Sequence, residues 1–173
     1  MYAVVSRPDV AVPVSMCARF LAEPSVAHLQ AARRVLLYLL TTKTLSLLYT
    51  RSVSPVLVSY VDSSWAADLD TRRSRYGFAL FYGRALVGWR SKLHSCISLS
   101  SAEAEYIGAT EACKEVMWLR HLLAELGLVQ PTTLFHEDNA ACIKMASNAI
   151  VSGRNKHMKL KMHFVRARKG GSP

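Results

Sequence analysis

LSSAEAEYIGATEACKEVMWLRHLLAELG, residues 99–127, reads as one long amphipathic helix whose inward stripe carries a single charge. Ser100 and Glu103 make the S-x-x-E pattern of a capping box at its start, and Gly127 stands where a left-handed residue ends a helix. Ala102, Glu105, Ala109, Ala112, Val116, Leu119, Leu123 and Leu126 recur at spacings of three and four, which aligns them on one face. That face must meet the rest of the fold, and Glu105 is its charged member. Glu103 lies roughly 200° away at about 100° per residue, so it belongs to the cap and the solvent side. An ionised carboxylate turned towards an apolar sheet is costly unless it is paired or bound to metal. At the first turn, however, a half-exposed glutamate that favours the helix dipole accounts for Glu105 equally well.

Strand patterns flank this helix. VLVSYVD (56–62) is β-branched, aromatic and apolar on both faces, as a central strand should be. DLDTRRS (68–74) is a polar turn. RYGFALFY (75–82) and ALVGWRS (85–91) are two further strands joined by Gly83-Arg84, a tight hairpin signal. After the helix, TTLFHED (132–138) is a short strand and NAACIKMAS begins another helix. The order βββαβα indicates an α/β domain with a mixed sheet. Asp62 closes the first strand and Asp138 the last. If those two strands are adjacent and parallel, their carboxyl ends lie together, which is where ligands bind in open α/β sheets. Taken singly, each has a plain structural explanation: an Asp after a strand makes an Asx turn, and Asp138 ahead of NAACIKMA suits a helix cap. As a set gathered by the fold, Asp62, Glu105 and Asp138 can hold two divalent metal ions and hydrolyse a phosphodiester.

The rest of the chain bounds this reading. With 173 residues, half of them apolar, it has material for one domain plus a small appendage. Residues 1–50 read as helical, with a helix from about Ser25 to Thr42 whose apolar face includes Val26, Leu29, Leu36 and Leu40. RSVSP (51–55) is a polar break and the expected domain boundary. The main domain then spans 56–169, with 170–173 a frayed tail. Net charge is +10, from 22 Lys+Arg against 12 Asp+Glu, which points to a polyanionic partner. No acidic residue follows Asp138, whereas Lys144, Arg154, Lys156, Lys159, Lys161, Arg166, Arg168 and Lys169 do. A phosphate backbone attracts such a segment without any reading of sequence. Cys17, Cys96, Cys113 and Cys142 show no metal-site or disulfide spacing, and Cys113 and Cys142 read as small buried residues. This pattern suits a reducing compartment. The start lacks a signal peptide and no apolar run spans a bilayer, so a cytoplasmic or nuclear location with no membrane partner is expected. Trp89 and Trp118 read as packing residues, and the histidines show no metal-ligand spacing.

YVDSSWAAD-x-D-x-R-R-S, the hairpin ending in W-x-S-K, LSSAEAEYIGATEACKEVMWLRHLLAELG and EDNAACI resemble the RNase H domain of copia-type retrotransposon polyproteins, over residues 56–168. SRPDV, followed by ARF-x-x-x-PS-x-x-H-x-x-A-x-R-x-L-x-YL-x-x-T, is similar to the end of the preceding reverse transcriptase domain. The polymerase motif Y-x-D-D is absent. The resemblance implies a ribonuclease H-like α/β fold with a central mixed sheet in the order 3-2-1-4 and flanking helices. It implies hydrolysis of the RNA strand of RNA–DNA hybrids with two Mg²⁺ ions, Mn²⁺ being an alternative, and assigns catalysis and metal binding to Asp62, Glu105 and Asp138. Other parts of the Pol polyprotein are implied partners. Ser63, Arg72, Arg73, Ser101, Asn139, Lys156 and Lys161 are the candidate nucleic-acid contacts; turn, cap and solvated-charge roles compete for each. Two departures stand out. The family's K-H-I-D reads KHMK here, with Lys159 in place of Asp. The family's last strand, with a V-P motif, and its terminal A-D-I-x-T-K helix, with a fourth carboxylate, have no counterpart before GGSP, so weak or absent cleavage is expected. Two competing readings remain open: a non-catalytic basic nucleic-acid-binding fragment, and a DNA-directed nuclease of the wider RNase H-like superfamily.

Overall fold

Eight residues of alternating burial set the frame: Leu57, Ser59, Val61 and Ser63 turn inward along β1 (Leu57–Ser64), while Tyr60, Asp62 and Ser64 turn outward. In the computed structural model, which describes residues 3–51 and 55–147, β1 is the hub of a four-stranded sheet. It pairs antiparallel with β2 (Arg75–Tyr82), which pairs antiparallel with β3 (Ala85–Leu93). On its other side it pairs parallel with β4 (Leu134–His136). The order β3-β2-β1-β4 is the expected 3-2-1-4. Gly83, with φ of 65°, makes the two-residue β2–β3 hairpin possible by taking the positive angle its first central position needs.

The long helix is α4 in chain order, Ser101–Glu125, and it crosses the inner face of β1 and β2. Its Ala112 and Val116 pack on Leu57, Val61, Tyr76, Phe78 and Leu80, with Leu119 and Phe135 at the margin. Ser100 caps it by accepting the Glu103 N–H at 3.2 Å, and Gly127 closes it at φ of 76°. Leu126, expected on the buried stripe, is the helix C-cap and is exposed. Gly108 lets α4 sit close. A Cβ there would lie 2.6 Å from Ser63 Oγ and 3.1 Å from Tyr76 Cβ. The outer face of the sheet carries Tyr60, stacked on His136 at 4.4 Å and edge-on to Phe81 at 5.7 Å.

Ahead of the sheet come α1 (Ala3–Ser6), α2 (Ala11–Ala18) and α3 (Val26–Thr41). α2 packs against β3 and α3. Side chains fasten this segment to the sheet. Arg19 pairs with Asp68 at 2.7 Å and Asp70 at 3.0 Å, Arg75 donates to Ser15 Oγ at 3.0 Å, and Trp89 Nε1 donates to the Val4 carbonyl at 3.0 Å. α3 starts where expected, with Ser25 as its cap, but its apolar face is not buried: Val26, Leu29, Leu36 and Leu40 are all exposed. It packs against α2, a helix of eight residues, too short to cover it. Residues 52–54 of the expected boundary, and the basic segment with Lys156 and Lys161, lie outside the described residues.

Candidate metal centre

Asp62 sits on β1 opposite Gly77 of β2, two residues before the strand's end rather than at it. β4 is also shorter than the pattern suggested, stopping at His136, so Asp138 lies just past its carboxyl end. Because β1 and β4 run parallel and adjacent, the two aspartates come together at one end of the sheet. Glu105 reaches the same point from the first turns of α4. Oxygen atoms of Asp62, Glu105 and Asp138 all lie within 4.8 Å of one another. Asp62 and Asp138 are exposed, while Glu105 is 6 % exposed. An open groove of about 630 Å³ on the outer face, lined by Tyr60, Asp62, Gly77, His136 and Asp138, leads to the cluster.

The competing structural role for Asp138 falls to its neighbour. Asn139 caps α5 (Ala140–Ser147): its Oδ1 accepts the N–H groups of Ala141 and Cys142, each at 3.0 Å. Asp138 therefore has no capping duty. Glu105 is not a half-exposed dipole partner either. Burial first, then the charges of Glu137, Asp62 and Asp138, push its pKa up to about 7, partly offset by the polar Ser63 hydroxyl beside it. Its Oε2 is buried with no hydrogen-bond donor. A buried orphan acceptor among like charges, with two exposed carboxylates beside it, is a donor set that fits a hard divalent cation.

Glu103 departs from expectation. It is as buried as Glu105, at 6 % exposure, rather than on the solvent side. Its Oε2 accepts the Leu99 N–H at 2.8 Å, so the loop before α4 folds back over it. Ser63 is also buried: its hydroxyl faces α4, donating to the Ala104 carbonyl at 3.2 Å, and cannot reach sugar or phosphate as expected. Ser101, Arg72 and Arg73 are exposed, Arg72 in a left-handed turn at φ of 55°. Trp118 is 62 % exposed rather than packed, whereas Trp89 is half-buried. Cys113 and Cys142 are buried as expected. One acid the sequence reading passes over is Glu137, half-buried next to the cluster. Strand periodicity was the available signal: Phe135 points into the core, and a residue two further on shares its side.

A mixed sheet in the order 3-2-1-4, a long helix across it and acids gathered where β1 and β4 end define a ribonuclease H-like α/β domain. The chain is similar to a short segment of retrovirus-related Pol polyproteins of transposons. It is 38 % identical over 167 residues to the Pol polyprotein from transposon TNT 1-94 of Nicotiana tabacum, and 32 % identical over 167 residues to that from transposon RE1 of Arabidopsis thaliana. It covers 96 % and 95 % of itself in these matches but spans only 12 % and 11 % of the two polyproteins. It is also 42 % identical to secreted RxLR effector protein 161 of Plasmopara viticola, over 67 % of this chain and 82 % of that protein. No protein-family model matches the chain. Among solved structures it is similar to LC11-RNase H1 in complex with RNA/DNA hybrid, at 12 % identity and a TM-score of 0.47, over 64 % of this chain and 76 % of that one. At that score the likeness adds nothing to the sheet order. Among the described residues, no helix is long and apolar enough to cross a membrane.

Proposed function

We propose that this chain is a copia-type RNase H domain preceded by the end of a reverse transcriptase, and that it hydrolyses the RNA strand of RNA–DNA hybrids with divalent cations. The observation that carries this reading is the convergence of Asp62, Glu105 and Asp138 within 4.8 Å, with the Glu105 Oε2 buried and without a donor. Two Mg²⁺ or Mn²⁺ ions would supply the Lewis acidity that activates water and takes up charge on the leaving 3′ oxygen. Asp62 and Asp138 would hold them from the solvent side and Glu105 from within. Glu105 must give up its proton to serve as a ligand, and a pKa of about 7 places that loss near neutral pH. The groove beside Tyr60 and His136 gives a backbone room to approach. Exposed Arg72 and Arg73, with the basic residues after Asp138, would hold phosphates, and 2′-OH contacts would select RNA. A cytosolic or nuclear location suits such a partner.

The test is a nicking assay on labelled RNA–DNA hybrid, RNA duplex and DNA duplex, with Mg²⁺ and with Mn²⁺. Cleavage that is weak at most, greater with Mn²⁺ than with Mg²⁺, confined to the RNA of the hybrid and lost in Asp62→Asn is the expected result. Binding of all three duplexes without cleavage would make the chain a basic binding module, and cleavage of DNA duplex would make it a DNA-directed nuclease.

A further inference from the structure

Past the last residue of β1 stands an aromatic ring that the acid cluster does not use. Trp65 follows Ser64, beyond Asp62, at the end of the sheet where the carboxylates meet. Its indole N–H donates to the Ser98 carbonyl at 3.0 Å, which ties the loop after β1 to the loop before α4. The ring is nevertheless 52 % exposed, and Ile97 and Leu99, on either side of Ser98, are exposed too. Single exposed apolar side chains are ordinary on a protein surface; a tryptophan with two aliphatic residues on loops joined by a hydrogen bond makes a patch.

The loop that carries Trp65 also carries cations. It closes on itself before β2: Ser74 Oγ accepts the Ala66 N–H at 3.1 Å, the Arg73 carbonyl accepts the Asp68 N–H at 3.1 Å, and the Asp68 carbonyl accepts the Arg72 N–H at 2.8 Å. Trp65 and Arg73 therefore stand at the two feet of one small loop. Ala66 and Arg72 are held in left-handed backbone at φ of 49° and 55°, which residues with a Cβ seldom adopt. The loop's acids, Asp68 and Asp70, are both taken by Arg19. Among the described residues, the exposed guanidinium groups of Arg72 and Arg73 have no carboxylate partner.

Fastening two loops explains only part of this. That duty uses the indole N–H, at one edge of the ring, and leaves much of the ring in water. A nucleotide offers the complement to everything left over: a phosphate for guanidinium, and a flat face for the ring. Inside a duplex each base face is covered by its neighbours, so the base that meets the ring must be unpaired.

We propose that Trp65 is a stacking contact for an unpaired base of a strand entering this site, with Arg72 and Arg73 on the adjoining phosphates. The inference rests on reading the chain as one that binds nucleic acid, and it does not require the acid cluster to hold cations.

Anisotropy of two labelled strands of equal length, an oligothymidylate and an abasic deoxyribose-phosphate chain, tests it on the whole chain with chelator present. The native chain should bind the oligothymidylate more tightly by about fivefold or more. Trp65→Phe keeps a ring and should keep most of that preference. Trp65→Leu keeps apolar bulk without a ring and should bind the two strands alike. Both variants lack the indole N–H, so a role confined to fastening loops would treat them alike, and equal behaviour of the pair would overturn the proposal. Stacking releases no counterions, so Trp65→Leu should show the native salt dependence, while Arg72→Ala with Arg73→Ala should show a shallower one. Equal affinity of the native chain for the two strands would refute the stacking contact and leave phosphate binding standing. No binding of either strand would overturn the nucleic-acid reading as well. Should Trp65→Leu not fold, Trp118→Phe removes the other well-exposed indole. Its tryptophan emission should then be quenched by the oligothymidylate and not by the abasic strand, and unchanged emission would refute the contact.

Discussion

Glu105 is buried with its Oε2 bare, and the consequence is a pH dependence of the metal-free fold. Its carboxyl ordinarily titrates at 4.5, but burial and its acidic neighbours push it up to about 7 in the folded chain. Between those values the folded state holds a proton the unfolded state has released. Stability from this group is therefore complete below about pH 4.5 and lost as pH rises through about 7. Glu137, raised chiefly by burial, acts in the same direction. Asp68, lowered chiefly by its bond from Thr71, acts oppositely, but only on the acid side of its ordinary value of 3.8. The chelator-treated protein should therefore melt at a lower temperature at pH 8 than at pH 5.5. Millimolar Mn²⁺ should recover most of the difference, and Glu105→Gln should remove it; equal melting temperatures at the two pH values would contradict the burial of this charge. Part of this was legible in sequence, because the wheel separates Glu105 from Glu103 by rotation. What the wheel could not show is the far side of the helix. It treats every direction away from the sheet as solvent, whereas the loop ending at Leu99 covers Glu103 and uses it as an acceptor. Nor could spacing decide between Asp138 and Asn139 as the α5 cap, since both residue types serve; the backbone chose Asn139 and left Asp138 for the site.

At the scale of elements, α4 must lie close enough to β1 for Glu105 to meet two aspartates at the sheet's end. Gly108, one turn after Glu105, is the residue that sets this separation. An added methyl would meet Ser63 Oγ at 2.6 Å, the Tyr76 Cβ at 3.1 Å and Val61 Cγ1 at 3.5 Å. The last is ordinary contact, and a hydroxyl can swing aside, but Tyr76 Cβ is fixed to β2. Alanine is a better helix former than glycine by about 1 kcal/mol, yet overpacking a tight core costs about 1–3 kcal/mol. Gly108→Ala should therefore come out neutral to about 2 kcal/mol less stable in urea denaturation. It should also weaken Mn²⁺ binding by lifting Glu105 away from Asp62. A stabilised variant with native Mn²⁺ affinity would show that α4 can shift without disturbing the acids. The strands and α4 could be read from sequence because alternation and the 3.6-residue period are local properties of a buried face. β4 was overestimated because Thr132 and Thr133 favour extended backbone whether or not a neighbouring strand pairs with them. α3 misled differently. Its periodic leucines promised burial, but periodicity marks only which face could be buried, not that a neighbour covers it.

Along the whole sequence, charge is unevenly distributed. Carboxylates meet at the end of β1 and β4, and every charged residue after Asp138 is basic within a chain of net charge +10. A site that gathers negative charge repels a phosphate backbone, so a polyanionic substrate needs positive charge elsewhere to bring it in. Cations bound between the acids can do part of this, and lysines and arginines outside the site can do the rest. The two contributions separate by salt. Each true lysine–phosphate pairing releases counterions and adds about 0.9 to the slope of log affinity against log salt on B-form duplex. Replacing Lys156, Lys159 and Lys161 together with alanine should lower the slope for RNA–DNA hybrid by about one unit for each phosphate these lysines hold. The fall should be similar on hybrids of unrelated sequence, because phosphates carry no base identity. Asp62→Asn, measured with chelator present so that no cation bridges protein and phosphate, should leave the slope as it is and strengthen binding slightly by removing a negative charge. Fluorescence anisotropy across a range of KCl concentrations measures all of this. A triple variant with the native slope would mean that these lysines are solvated charges and that Arg72, Arg73 or other basic residues hold the backbone.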